Sequence, residues 1–419
     1  MKNLTHSLFL FLTLLFFPAT ASAYSFCVNG IYYDILVDNE AEVTYKDFNY
    51  NSYSGNVIIP ATVTYGGTIY SVTSIGYSAF SLCSKMTSIT IPNTITHVGS
   101  QAFSYCIGLK GVYITDLDAW CKISFDYNQM QTNPCSYAHH LYLNGEEIRN
   151  LIIPNSVTSI GMGAFAGCSS LTSITIPNSV TTIRGYAFMN CKGLTEITIP
   201  RTVTSIRPNN PFLGCTGLSS ITVDSDNLYY HSSDNCNAII ETATNSLISG
   251  CKNTIIPNNI ATIYSEAFYG CTGLKSVSIP QTVTTIGNGV FYNCDSLLDV
   301  YSYIEDLSAI SFGFSLFLQE HSHNYSNRTL YVPHGTSSVY RSNQEWGPYF
   351  GQIVEMPLNG DANVDGVLNI ADISDIIDYL LGNDMILFNV SAADMNGNGR
   401  VDLGDLAYLI DMILQSTSH

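Results

Sequence analysis

The chain has 419 residues, 15 Lys+Arg against 33 Asp+Glu, a net charge of −18, and yet only 11% charged residues. With no basic cluster, nucleic acid and anionic membrane surfaces make poor partners. Ser, Thr, Tyr, Asn and Gly dominate the polar residues, as expected of a β-rich extracellular scaffold.

The first 23 residues read as a secretory signal. Lys2 precedes Leu8–Phe17, apolar except for Thr13, and Ala21-Ser22-Ala23 is a small-residue cleavage site. That run is too short to span a bilayer, and no later stretch is long or apolar enough. No lipobox precedes Cys27, so the mature chain is expected to start at Tyr24 and to be exported without a membrane span. Residues 24–56 read as an N-terminal β cap, with a hairpin of Ile31–Leu36 and Glu40–Tyr45. Tyr65-Gly66-Gly67-Thr68 reads as a second, tight hairpin.

Residues 57–357 carry an internal repeat. Ile-Pro anchors fall at Pro154, Pro177 and Pro200, 23 residues apart, and again at Pro257 and Pro280. Ala-Phe anchors fall at Phe80, Phe103, Phe165, Phe188 and Phe268. A repeat this short cannot bury its own apolar face, so the period predicts a solenoid with one continuous core. Ile174-Thr175-Ile176 reads as a strand with Ile inward and Thr outward, ended by Pro177. Val180–Ile183 reads as a second short strand, and Ala-Phe-x-x-Cys as a turn that seats a Phe in the core. Stacking would align Thr90, Thr175, Thr198 and Ser278 outward. That row is either a hydroxyl-lined ligand face or a solvated Thr ladder chosen for strand propensity.

Two insertions interrupt the period. Phe103 to Phe165 spans 62 residues and Phe212 to Phe268 spans 56. Such insertions either project and carry binding or continue the solenoid as irregular coils; both readings stay open. Under the first, Trp120, Tyr127, Tyr137, Tyr229 and Tyr230 are the candidate ligand anchors. The second insertion contains a predicted hairpin, Asn237–Glu241 and Ser246–Gly250, about whose centre Cys236 and Cys251 are equidistant. Export permits a disulfide between them, if the cross-strand geometry suits one.

Seven of the twelve Cys follow a Phe anchor by three residues: Cys83, Cys106, Cys168, Cys191, Cys215, Cys271 and Cys294. They are expected to form an interior column, preferably of free thiols, with a disulfide between neighbouring coils left open. Thr329–Pro333 reads as a last strand, Val339–Phe350 with Trp346 as a closing helix or turn, and Val354–Leu358 as a linker.

Beyond Leu358 there are ten acidic residues and one basic. Two twelve-residue patterns begin at Asp361 and Asp394. The first places Asp361, Asn363, Asp365, Asn369 and Asp372 at positions 1, 3, 5, 9 and 12. The second places Asp394, Asn396, Asn398, Asp402 and Asp405 at the same positions. Gly366 and Gly399 stand at position 6, and Val367 and Arg400 at position 7, where the main-chain carbonyl is the donor. This spacing wraps one hard cation in oxygen, which predicts two calcium ions. Apolar-periodic helices are expected at Ile373–Leu381 and Leu406–Leu414, and no helix pattern precedes either loop.

Two resemblances follow. The repeat Ile-Pro-Asn-Ser-Val-Thr-Ser-Ile-Gly with Ala-Phe-x-x-Cys resembles the BspA-like leucine-rich repeats of bacterial surface proteins, which implies a mainly β right-handed solenoid that binds host proteins or other cells. The loop-then-helix unit, repeated over residues 359–415, resembles a type I dockerin, which implies a small calcium-folded α-helical module at 358–419 that plugs into a cohesin. In that family loop positions 10 and 11 help select the cohesin; here they are Ile370-Ala371 and Leu403-Gly404, not the Ser/Thr pair of many members.

No catalytic constellation is apparent. His139-His140 and His321-x-His323 lack Cys or Glu at zinc spacing, and neither a nucleophile elbow nor a P-loop occurs. Glu146-Glu147 and Glu305-Asp306 read as solvated loop charges. The expected function is therefore non-enzymatic: a secreted or cell-surface solenoid that recognises a protein or glycan, tethered through its C-terminal module. The alternative is an accessory component of a dockerin–cohesin polysaccharide-degrading complex. A hydrolase hidden in the insertions is a third reading.

Overall fold

Alternating apolar and hydroxyl residues become strands here because the inward apolar positions of one coil pack against those of the next. The computed structural model describes residues 24–126, 129–206, 209–319, 325–383, 387–395 and 399–416; the signal expected at 1–23 lies outside the described residues. Each coil contributes to three rows. The long row contains Gly55–Ile58, Met86–Thr90, Gly111–Ile114 and Leu141–Leu143 in parallel, then the pairs Asn150–Ile152 with Ser173–Thr175 and Glu196–Ile199 with Ser220–Val223. It resumes as Ser276–Ile279, Asp299–Ser302, Thr329–Val332 and Gln352–Glu355. The short row contains Thr68–Ile75, His97–Val98 and Ser124–Phe125, the pair Ser159–Ile160 with Thr182–Ile183, and then Thr262–Ile263, Thr285–Ile286 and Ser311–Phe312. The third row is the Ala-Phe-x-x-Cys turns, bonded coil to coil by Phe80 N to Ala102 O (2.8 Å) and Phe165 N to Ala187 O (2.8 Å).

The core runs along the axis. Ile89, Ile197 and Val300 point inward and are buried. Phe rings stack in the turn row: Phe80–Phe103 at 5.1 Å, Phe165–Phe188 at 5.5 Å, Phe188–Phe212 at 5.6 Å and Phe268–Phe291 at 5.2 Å between centroids. Each such ring contributes about 1.5–3 kcal/mol by leaving water.

The expected cysteine column is present and has a further member. Cys106 Sγ donates to Phe80 O (3.0 Å), Cys191 to Phe165 O (3.2 Å), Cys215 to Phe188 O (3.1 Å) and Cys294 to Phe268 O (3.1 Å). These are thiols, not disulfides. Cys135 is the added member: Thr132 takes the Phe position of its coil and Cys135 follows three residues later, both buried.

The first insertion does not project as a unit. It supplies a whole coil, with Ser124–Phe125 in the short row, Leu141–Leu143 in the long row and Gln131 O accepting from Phe103 N (2.9 Å) in the turn row. Within it, Asp116 caps the helix Leu117–Lys122 by accepting from Ala119 N. The second insertion enters the short row as strands and reaches the turn row at Gly250, whose N donates to Ala267 O (2.9 Å) as Phe80 N does to Ala102 O. Ala238–Glu241 and Ser246–Gly250 form the expected hairpin, and the latter strand pairs in parallel with Thr262–Ile263. Two residues beyond the Phe position the turn row passes it by: Gly214 N donates to Tyr269 O (3.2 Å), so there the coil of Phe212 abuts the coil of Phe268 directly. A bulge between Ile239 and Ile240 shifts the hairpin register by one residue. Cys236 and Cys251 are therefore not opposite each other, and Cys251 keeps its thiol, which contacts Asn237 O at 3.5 Å.

At the N-terminus, Ile31–Ile35 and Glu40–Thr44 form the expected hairpin, with Phe26–Val28 added outside it. Tyr65 pairs with Thr68 across the tight Gly66-Gly67 turn. At the C-terminus, the helix Ser337–Ser342 and the 3-10 turn Gly347–Tyr349 close the core over buried Tyr340 and Trp346. Arg328, also buried, donates to the carbonyls of Cys294, Leu297 and Phe317 and so satisfies the exposed end of the last coils. Val354 and Glu355, expected to open the linker, instead end one more strand, Gln352–Glu355.

Candidate functional site: paired acidic loops and the solenoid surface

The two acidic loops repeat the same bonds at the same positions. Asp361 Oδ2 accepts from Gly366 N (2.9 Å), and Asp394 Oδ2 from Gly399 N (2.7 Å): position 1 to position 6 in each loop. Asp372 Oδ2 accepts from Asn369 N (2.9 Å), and Asp405 Oδ2 from Asp402 N (2.8 Å): position 12 to position 9. Gly366 and Gly399 adopt φ of 79° and 82°, which residues with a Cβ rarely adopt. Asp372 Oδ1 also accepts from Ala362 N (3.0 Å), so this carboxylate ties both ends of the first loop together. In addition it completes a capping box with Asn369.

That box explains the helix boundaries. The helices run Ile370–Leu380 and Leu403–Ser416, each starting three residues before the periodic apolar pattern, because loop positions 10–12 form the first turn. A short helix, Val390–Ala393, capped by Asn389, precedes the second loop, contrary to expectation. Asn389 N to Ala362 O (2.8 Å) and Gly360 N to Ala392 O (2.8 Å) bind the two halves together. Their shared core is small: Ala362, Ile376, Ala393, Met395 and Leu409.

Asp372 and Asp405 are fully buried, and Asp361 is 5% exposed. Burial pushes the Asp372 carboxyl up, while backbone N–H bonds hold it down. Among the described residues no Lys, Arg or His forms an ion pair with Asp361 or Asp372. Buried carboxylates without a cationic partner, in a set of purely oxygen donors, fit a hard divalent cation. Among the described residues no three His, Cys, Asp or Glu side chains are drawn together as a metal cluster; the carboxylates face backbone N–H groups instead. Asn396 and Asn398 lie outside the described residues.

The solenoid surface differs from expectation. Trp120 is 1% exposed and donates Nε1–H to Ala164 O (2.9 Å), so it is a core residue and not a surface anchor. Tyr230 is 3% exposed, and its hydroxyl accepts from Ile206 N (2.9 Å). Both are inside because their insertions continue the solenoid instead of leaving it. Tyr137 is half-buried and its hydroxyl accepts from Tyr105 N (3.0 Å). Tyr229 is exposed, and Tyr127 lies outside the described residues.

The outward row is not a continuous hydroxyl ladder. Thr198 and Thr222 do share an Oγ1–Oγ1 bond of 2.9 Å. Thr90, however, stands beside Tyr113, which stacks on Tyr142 at 4.6 Å, and Ser278 beside Tyr301, which stacks on Tyr331 at 4.4 Å. Sequence reasoning passed over these tyrosines. Their signal was the apolar-Tyr-apolar strand pattern of Val112-Tyr113-Ile114, Leu141-Tyr142-Leu143 and Leu330-Tyr331-Val332.

Two of the acidic pairs are more engaged than solvated charges. Glu147 accepts from His140 Nδ1 (2.6 Å) and Arg149 Nε (2.9 Å), which hold its carboxyl below the usual range. Asp306 caps the turn Leu307–Ala309 through Ser308 N (2.8 Å). His139 is exposed, and His321 and His323 lie outside the described residues. Among the described residues no helix is long and apolar enough to cross a membrane.

Family comparison agrees with this architecture. Six copies of the BspA type leucine rich repeat region match residues 68–133, 137–249 and 245–321, and the dockerin type I domain matches residues 359–414. Both are families of non-catalytic binding modules typical of extracellular or cell-surface bacterial proteins, and dockerin type I domains bind calcium. A leucine rich cell surface protein of Faecalibacterium prausnitzii A2-165 superposes with a TM-score of 0.50 at 27% identity, over 80% of this chain and 96% of that one. A leucine-rich repeat protein of Bacteroides ovatus gives 0.38 at 23% identity, over 80% and 77% of the two chains. The pneumococcal vaccine antigen PcpA gives 0.36 at 17% identity, over 80% and 99%. No curated protein matches the chain.

Proposed function

In a chain that belongs to the BspA-type leucine-rich repeat proteins and closes with a type I dockerin domain, we propose an exported two-part binding protein without catalytic activity. The signal at 1–23 directs export, the body at 24–357 recognises a protein on the bacterial surface or host, and the module at 358–419 tethers it. The observation that carries this reading is the pair of loops with matched internal bonds, the first of them with buried carboxylates, Asp361 and Asp372, that meet no Lys, Arg or His among the described residues. Each loop holds one calcium ion. Asp361, Asn363, Asp365, Asn369 and Asp372 serve the first through side-chain oxygens and Val367 through its carbonyl. Asp394, Asn396, Asn398, Asp402 and Asp405 serve the second, with the carbonyl of Arg400. The ion supplies the positive charge that fixes these loops, and with them the starts of both helices.

Ile370 and Leu403, at position 10 of their loops, are 74% and 73% exposed. These matched apolar residues are where we place the cohesin contact. On the solenoid, the stacked tyrosine pairs and Tyr229 are the candidate contacts, since rigid aromatics carry much of the energy of protein recognition. The dockerin match favours a second reading, an accessory component of a dockerin–cohesin polysaccharide-degrading complex.

The test is a pull-down with the chain from Tyr24, with and without calcium, against cohesin domains and surface extract of the source organism, in parallel with host extracellular protein. Calcium-dependent capture of a cohesin supports the tether. Capture that ignores calcium and survives Ile370→Asp with Leu403→Asp rejects it. Glycan-active enzymes on the same cohesin scaffold would favour the second reading.

A further inference from the structure

The two strand rows do not begin together. The cap strands Phe26–Val28, Ile31–Ile35 and Glu40–Thr44 extend the short row, because Glu40–Thr44 pairs with Thr68–Ile75. The long row has no such extension. It starts at Gly55–Ile58, which pairs with Met86–Thr90 on one side and, among the described residues, with no strand on the other. The cap therefore overhangs a strand edge. Between them lies an open cleft of about 630 Å³, lined among others by Val28, Gly30, Tyr33, Tyr53, Asn56 and Ile58, and no lining residue is charged.

Strand geometry fixes what the edge presents. Gly55 N bonds to Lys85 O (2.9 Å) and Ile59 N to Thr90 O (3.1 Å), so the odd residues face the neighbouring coil. Alternation then turns the N–H and C=O of Asn56 and Ile58 toward the cleft. Ile58 is 67% exposed. The other end of the row is protected as strand edges usually are. There Glu355 accepts from Ser337 N (3.1 Å) and lies 3.7 Å from His334, and Pro357 follows. The Gly55–Pro60 edge has no charge and keeps the apolar-Pro pattern of an interior strand.

We propose that this cleft is a strand-docking site: an extended, uncharged peptide segment of a partner protein pairs with the free edge of Gly55–Ile58, where the long strand of a preceding coil would lie. The proposal rests on the protein-binding reading of the solenoid and names the class of ligand and the place. Main-chain bonds supply affinity, and alternate side chains beside exposed Ile58 and half-buried Val28 supply selectivity for small apolar residues. Four residues at about 3.3 Å each make a footprint of roughly 13 Å.

The probe is a labelled synthetic peptide copying residues 171–177 of this chain, Leu-Thr-Ser-Ile-Thr-Ile-Pro, an uncharged repeat strand, titrated into the full chain by fluorescence anisotropy. Saturable binding is expected. Ile58→Pro deletes an edge N–H without touching the bonds to Lys85 and Thr90, and should weaken binding at least tenfold; Ile58→Glu should do the same by charge. Should Ile58→Pro unfold the cap, Ile58→Glu and the peptide variants still decide. Peptides N-methylated at one set of alternate amides should lose binding, and at the other set retain it. Equal binding of both methylated peptides, unchanged binding to both Ile58 variants, or displacement by a neutral oligosaccharide with no effect of N-methylation overturns the proposal. A partner protein captured equally by the wild-type and Ile58→Glu chains also overturns it while leaving the protein-binding reading intact. A solenoid that captures no protein at all removes that reading itself.

Discussion

In the solenoid, Phe80, Phe103, Phe165, Phe188, Phe268 and Phe291 are fully buried, each stacked on a ring of the next coil or the one before. In the C-terminal module the buried core among the described residues is five side chains, two of them alanine. The solenoid draws its stability from repetition, since every added coil covers the apolar face of its neighbour. The module cannot. Its order comes from loop carboxylates that tie backbone N–H groups together, and three of those carboxylates are buried. One region is thus expected to be indifferent to metal and sensitive to core volume, and the other the reverse.

The largest effect should come from calcium removal. Chelator should abolish amide hydrogen-exchange protection over residues 359–414 and leave the repeats protected; protection that persists in both regions would erase the contrast. Next, Phe188→Ala should destabilise the solenoid by about 3–5 kcal/mol without changing calcium binding, read by denaturant unfolding beside a calcium titration. Asp361→Ala should take calorimetric stoichiometry from two ions per chain toward one, with the solenoid's unfolding midpoint unmoved.

A pH titration sharpens the same comparison. Burial pushes the Cys83 thiol up to about 11 and those of Cys215 and Cys294 to about 12, from 9.0. A folded value above the unfolded one means the contribution is complete below pH 9 and is lost as pH rises from 9 toward 12. Reduced solenoid should therefore weaken through that window, while at pH 8 exposed Cys27 reacts with a thiol reagent and the column does not. The smallest effect is that of Trp120→Phe, which deletes the bond to Ala164 O and should cost about 0.5–1.5 kcal/mol, visible in the unfolding midpoint and absent from any binding assay.

Much of this organisation was legible along the chain. Pro154, Pro177 and Pro200 set the period, Phe and Cys three residues apart marked the turn row, and Asp361 and Asp394 opened two loops in one register. The loop ligands were legible as a pattern but not as a geometry, because the bond from Asp372 to Ala362 joins residues ten apart through a fold the spacing alone does not specify.

The sequence by itself determined the solenoid, its anchors, the hairpin of the second insertion and the loop-then-helix module, because each is written in local periodicity or short fixed spacing. Tertiary structure alone decided that the first insertion is a whole coil burying Trp120, and that a bulge separates Cys236 from Cys251. It also decided that Tyr113 meets Tyr142 and Tyr301 meets Tyr331, and that the cap leaves Gly55–Ile58 uncovered. These depend on which coil lies against which, and on how many rows an inserted segment enters. Coil stacking is a matter of packing between residues distant in sequence, to which no local pattern is sensitive.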